Sequence, residues 1–128
     1  MDYKELMKKD AFAAEVGITL EDVAPGSATA KLTIEKRHLN AYGVAQGGSI
    51  FTLADFALAA AVNAHGILAF SMQSDIRYLE SAFEGDVLTA TAEETLLRKR
   101  IAQYHISVKR QDGTEVAIFD AICYRKQG

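Results

Sequence analysis

The chain has 128 residues, 49% of them hydrophobic and 24% charged, with a formal net charge of -3. That length fits one domain of roughly 100–200 residues, taken here as residues 1–128, with enough apolar side chains for one core. The slight acidity leaves no surplus of positive charge for a nucleic-acid partner, and the lone cysteine, Cys123, cannot form an internal disulfide, which fits a cytoplasmic protein.

The opening MDYKELMKKD is charged throughout and lacks the apolar run and small-residue cleavage site of a signal peptide. Leu6, Met7 and Phe12 among lysines and acids set a weak helical pattern suited to a short amphipathic cap. From Val16 the period changes to two. Val16, Ile18 and Leu20 alternate with small or polar residues, Pro25-Gly26 makes a turn, and Ala28, Ala30, Leu32 and Ile34 alternate again, which predicts a β-hairpin. The glycines at 43, 47 and 48 then break both periodicities before a helix from about Gly48 to Asn63. Its apolar stretch, Ile50 to Val62, falls short of the roughly 18 residues of a membrane span and is interrupted by Thr52 and Asp55, so no membrane partner is expected.

Four strands follow in a row. In the first, Phe70, Met72, Ser74, Ile76 and Tyr78 are expected to share one face; the second is the β-branched run DVLTATAEETLL. The last two, about Ile101 to Arg110 and Thr114 to Arg125, are joined at Asp112-Gly113, a strong hairpin signal. Hairpin, apolar helix and meander together predict an α+β fold, an antiparallel sheet curled around one long central helix.

The helix has no broad polar face, so it should be covered on all sides. A sheet covers one side, and a second copy of the chain is the candidate for the other. Within it Asp55 needs a reason, because burying a carboxylate costs several kcal/mol unless it is bonded, paired or reached by water. A structural aspartate satisfied by a neighbouring amide is one reading. Gly47 and Gly48 at the helix start favour another, since unobstructed backbone N–H groups at the positive end of a helix dipole can hold the oxyanion of an acyl transfer. Gly47 and Asp55 are eight residues apart, a rise of about 12 Å. If both act on one carbonyl they must come from different protomers, which predicts a dimer with shared sites.

The run NAYGVAQGGSIFTLAD, Asn40 to Asp55, resembles the signature of the PaaI-like branch of the hotdog-fold thioesterases. The family pattern is an asparagine, a glycine three residues on, His-Gly-Gly, and an aspartate eight residues after the first glycine of that pair; this chain has Asn40, Gly43, Gln46-Gly47-Gly48 and Asp55. The resemblance covers roughly residues 12 to 126 and implies a hotdog domain that hydrolyses acyl-CoA, aryl and medium-chain acyl groups included, to carboxylic acid and free CoA. It implies that the Gly47 N–H polarises the thioester carbonyl, that Asp55 of the partner chain acts as base or nucleophile, and that Asn40 orients the carbonyl or the water. A strand hydroxyl that assists the water aligns with Ser71, with Ser74 as the near alternative. CoA enters as substrate and no metal or redox cofactor is implied. The quaternary structure implied is a homodimer, paired further into a tetramer.

For CoA phosphates the resemblance points to Arg98, Lys99 and Arg100, which equally suit a solvated turn. For the substrate it points to Gln46, Gly48, Tyr42 and Phe51, with Phe56 and Tyr78 as further acyl-pocket candidates that equally suit a core. Gln46 departs from the family histidine, and it cannot take up a proton near neutral pH. That departure keeps two rivals open: a non-catalytic acyl-CoA-binding hotdog domain and, less suited without the histidine, an acyl-thioester dehydratase or hydratase. His38, His65 and His105 show no catalytic or metal spacing to an acid, and Cys123 reads as a buried small hydrophobe.

Overall fold

The computed structural model describes residues 3–126, so the two residues at each end of the expected 1–128 domain lie outside the described residues. Two short helices open it, α1 (Tyr3–Met7) and α2 (Ala11–Val16). The Asp10 carboxylate caps α2 by accepting from the Ala13 N–H at 3.0 Å, and Gly17, at φ 98, ends it in the left-handed conformation that favours glycine. The hairpin β1 (Thr19–Ala24) and β2 (Ser27–Thr33) follows, then a 3-10 turn at Lys36–His38 and the 17-residue helix α3 (Gly47–Asn63). Strands β3 (Ala69–Tyr78), β4 (Val87–Leu97), β5 (Ile101–Lys109) and β6 (Glu115–Arg125) complete it. No helix among the described residues is long and apolar enough to cross a membrane.

All strand pairs are antiparallel and the six-stranded sheet runs β1-β2-β4-β5-β6-β3. It wraps α3, the hotdog architecture that the signature implies. The meander is therefore broken: β3 pairs with β6 at the sheet edge instead of with β4. Residues 79–86 carry the chain back across the N-terminal end of α3. The crossing is held by the Ala82 carbonyl accepting from Ala45 N–H at 2.8 Å, and by Ile34, whose N–H donates to Asp86 O and whose carbonyl accepts from Gly85 N–H, both at 2.8 Å.

On the helix side the sheet presents small residues between larger apolar ones, among them Ala30, Leu32, Ala90, Ala92, Ile106, Ala117 and Phe119, all essentially unexposed. The alanines let α3 lie close against the strands, and each larger apolar side chain buried there contributes about 1.5–3 kcal/mol before entropy is counted. Ile50, Leu53, Ala54, Ala57, Leu58, Ala61 and Val62 of α3 are buried. The far side of α3 is partly covered by its own chain. Helices α1 and α2 pack on it and bury Met7 and Ala13. What stays only partly covered is a narrow stripe at helical spacing, Gly48, Thr52, Asp55, Ala59 and Asn63.

The alternation expected of β3 fails at a bulge between Ser71 and Gln73. Ser71 faces Cys123, Ser74 faces Ala121, Ile76 faces Phe119 and Tyr78 faces Ala117, so these four share the helix side. Phe70 instead pairs with Tyr124, and both Phe70 and Met72 are more than half exposed, at 57% and 61%. One extra residue changes which side of the sheet a side chain meets.

Candidate active site

The loop before α3 is organised by Asn40. Its Oδ1 accepts from the N–H groups of Tyr42 at 2.9 Å and Val44 at 3.3 Å, while its own N–H donates to the Val44 carbonyl at 2.7 Å. Gly43, at φ 82, closes the turn by donating to the Asn40 carbonyl. The side-chain oxygen of Asn40 is thus committed to the loop, and its amide N–H groups make no hydrogen bond among the described residues. Tyr42, at the tip, is 92% exposed. Behind the loop the buried His38 has its Nδ1 accepting from Glu35 N–H at 2.9 Å, which leaves Nε2 to donate to the Val16 carbonyl at 2.7 Å. That makes His38 a structural clasp.

Helix α3 begins without a side-chain cap: Gln46 is the N-cap, is exposed, and makes no capping hydrogen bond. The N–H groups of Gly47 and Gly48 belong to the first turn, where a helix supplies no acceptors, and they lie at the positive end of its dipole. Side chains crowd both glycines. A Cβ on Gly47 would stand 2.9 Å from Cζ and Oη of Tyr78, and one on Gly48 would stand 3.0 Å from Gln46 Oε1. Two open clefts of about 460 Å³ each flank this end of the helix, one bordered by Gly47, Ile50 and Tyr78, the other by Gln46, Gly48, Phe51 and Thr52.

Asp55, on the partly covered stripe, is half-buried and has no hydrogen-bond partner among the described residues. Burial raises its pKa above the ordinary 3.8, and the charge of Asp10 raises it further. Its field reaches Cys123, whose thiol is pushed up to about 11 first by burial and then by Asp55. Ser71 faces that cysteine, so the structure brings Asp55, Cys123 and Ser71 into one neighbourhood, with Ser74 the next helix-side residue along β3. It does not bring Gly47 to Asp55, which lie at different levels of the same helix.

The remaining candidates divide. Phe51 packs edge-on against Phe119 with ring centroids 5.0 Å apart, and Phe56 is buried beneath α1, α2 and β1. Arg98, Lys99 and Arg100 form the exposed β4–β5 turn, whose backbone is tied down by a residue that sequence reasoning passed over. The buried Arg125 donates from Nη1 to the Arg98 carbonyl at 2.7 Å and the Lys99 carbonyl at 3.5 Å.

Two histidines do have acidic partners, hidden by distance along the chain. His65 Nε2 lies 2.6 Å from Glu94 Oε2, which also accepts from the Tyr104 hydroxyl at 2.7 Å; His105 Nδ1 lies 2.8 Å from Asp120 on the outer face. Burial, then the bond to Glu94, pushes the Tyr104 phenol far up. Among the described residues no group of three or more His, Cys, Asp or Glu is placed to hold a metal ion.

A family model described as the thioesterase superfamily matches residues 42–117. A putative esterase of Archaeoglobus fulgidus is 35% identical, across 94% of this chain and 78% of its own. The acyl-coenzyme A thioesterase PaaI of Escherichia coli is 33% identical, across 96% of this chain and 88% of its own. A solved structure of the E. coli PaaI protein superposes with a TM-score of 0.94 at 33% identity, covering 97% of this chain and 90% of that one. A hypothetical thioesterase of Streptococcus pneumoniae, crystallised with coenzyme A, gives 0.88 at 25% identity, covering 95% of each chain. Signature, sheet order and relatives agree: the chain belongs to the thioesterase superfamily.

Proposed function

We propose that the chain hydrolyses the thioester of acyl-CoA to a carboxylic acid and free CoA. The observation that carries this is Asp55, a half-buried carboxylate without a hydrogen-bond partner among the described residues, on the one stripe of α3 that its own chain leaves only partly covered. A carboxylate that its own chain leaves without a donor, with its pKa raised by burial, is suited to act on a substrate. The E. coli relative is named for this reaction, and the S. pneumoniae neighbour holds coenzyme A.

In this reading two protomers share each site. The partly covered stripe of α3 and the edge strand β3, with Phe70 and Met72 outside, form the interface, and dimers pair further into a tetramer. The Gly47 N–H, with Gly48 beside it, polarises the thioester carbonyl, and Asp55 from the partner attacks it or activates water. The Asn40 amide orients the carbonyl or the water, and Ser71 assists the water. Water oxygen ends on the acyl carbon, the carbon–sulfur bond breaks, and the departing thiolate takes up the proton. Arg98, Lys99 and Arg100 meet the CoA phosphates. The reading assigns the protein to the cytoplasm, where a lone thiol such as Cys123 stays reduced.

Gln46 favours a second reading, an acyl-CoA-binding domain without turnover. Release of free thiol from short, medium, long and aryl acyl-CoAs, with wild type beside Asp55→Asn, decides between them. Turnover by wild type that the variant mostly loses supports hydrolysis; binding without turnover in both sinks it. A stable monomer by sedimentation sinks the shared site.

A further inference from the structure

Tyr78 is the last residue of β3, and its side chain crosses to the first turn of α3. Its hydroxyl donates to the Gly47 carbonyl oxygen at 3.0 Å, and its Cζ and Oη lie 2.9 Å from where a Gly47 Cβ would stand. That carbonyl belongs to the same peptide group as the Gly48 N–H. A hydrogen bond accepted at the C=O of an amide polarises its N–H and fixes the plane in which it points. The preceding Gln46–Gly47 peptide, which carries the Gly47 N–H, is held in the same way by Ser49, whose hydroxyl donates to the Gln46 carbonyl at 2.7 Å.

Two further features suit the tyrosine to this task. Its phenol stays protonated, since burial pushes its pKa up from 10.0, so the hydroxyl remains a donor across the neutral range. It also stands on the wall of the cleft that Gly47 and Ile50 border, held in the β3–β6 ladder opposite Ala117. A strand gives a firmer mount than a loop.

We propose that Tyr78 is a positioning residue for thioester hydrolysis: through the Gly47 carbonyl its hydroxyl fixes the Gly47–Gly48 peptide, so that the Gly48 N–H stands beside the Gly47 N–H as a second donor to the developing oxyanion, and its ring is what a side chain at position 47 would meet. This rests on the thioesterase reading. Tyr78 acts through the glycines and touches no reacting atom. Its loss therefore weakens the transition state more than the bound substrate, and shows in kcat more than in KM.

The test compares wild type with Tyr78→Phe, which keeps the ring and removes the hydroxyl, on the acyl-CoA that wild type turns over best. The expected result is a kcat lower by about tenfold, the worth of one hydrogen bond, with KM within about twofold. In protein labelled with 15N-glycine, the Gly48 amide resonance should move in the variant while that of Gly113, in the distant β5–β6 turn, stays. For the ring, Gly47→Ala should lower the melting temperature of wild type and lower it far less in a Tyr78→Ala background. An active wild type whose Tyr78→Phe variant keeps its kcat and its Gly48 resonance overturns the positioning role alone. A wild type inactive on every thioester overturns the parent reading and this role with it. Equal losses from Gly47→Ala in both backgrounds overturn the steric half.

Discussion

Ser71 and Cys123 face each other across the β3–β6 ladder, on the side of the sheet that the charge of Asp55 reaches. Ser74 shares that side one step further along, opposite Ala121. If Ser71 is the hydroxyl that assists the water, Ser71→Ala lowers kcat about tenfold or more, whereas Ser74→Ala stays within about twofold. Steady-state kinetics of the two variants decide it, and the reverse ranking would transfer the role to Ser74.

The raised pKa of Asp55 has opposite signs for activity and for stability. As base or nucleophile the group must be charged, so kcat rises with pH along a limb centred above 3.8. For stability, a folded pKa above the unfolded one means that the native state holds the proton more tightly. The contribution is present below 3.8 and is lost as pH rises through the raised value. Asp55→Asn, uncharged throughout, should at neutral pH melt about 2–5 °C higher while losing about a hundredfold or more in kcat. A pH–rate profile and a thermal melt at two pH values check both signs.

Glu94 holds the His65 ring and the Tyr104 hydroxyl together on one carboxylate oxygen. Tyr104 is 1% exposed, so Glu94→Ala strands a buried hydroxyl without its acceptor and costs about 1–3 kcal/mol in urea unfolding. Glu94→Gln keeps an acceptor and costs less. Turnover per folded molecule should be unchanged in both, because this cluster lies near the C-terminal end of α3, away from Gly47.

For Arg98 and Arg100 the useful contrast lies in the substrate. Replacing both with glutamine should raise KM for acyl-CoA about tenfold at low salt, less at high salt, with kcat preserved. The N-acetylcysteamine thioester of the same acyl group has no phosphates, and its KM should not move. Equal effects on both substrates would mean that the turn serves only structure.

Much of the fold could be read from the chain because local chemistry dictates it. Period two gave the strands, Pro25-Gly26 and Asp112-Gly113 the turns, and the unbroken apolar run the helix. Sheet order could not be read, since β3 prefers β6 to β4 through contacts far apart in sequence. The same limit hid His65 from Glu94, 29 positions away, and His105 from Asp120, 15 positions away. At the site, the glycines and Asp55 stood out because their residue types are costly or unusual where they occur. Tyr78 and Arg125 did not, because an aromatic at a strand end and an arginine near a terminus are ordinary until their backbone acceptors are seen.

The bulge at Met72 behaves as a frameshift confined to one strand. A ladder with period two has only two reading frames, and the extra residue switches β3 from one to the other between Phe70 and Gln73. Deleting Met72 would therefore do more than remove a methionine. It would put the residues on one side of the deletion out of phase, so that either Ser71 leaves the helix side or Ser74, Ile76 and Tyr78 leave it together. The hydroxyl beside Cys123 and the tyrosine on Gly47 can both face α3 only while that single added residue stays between them.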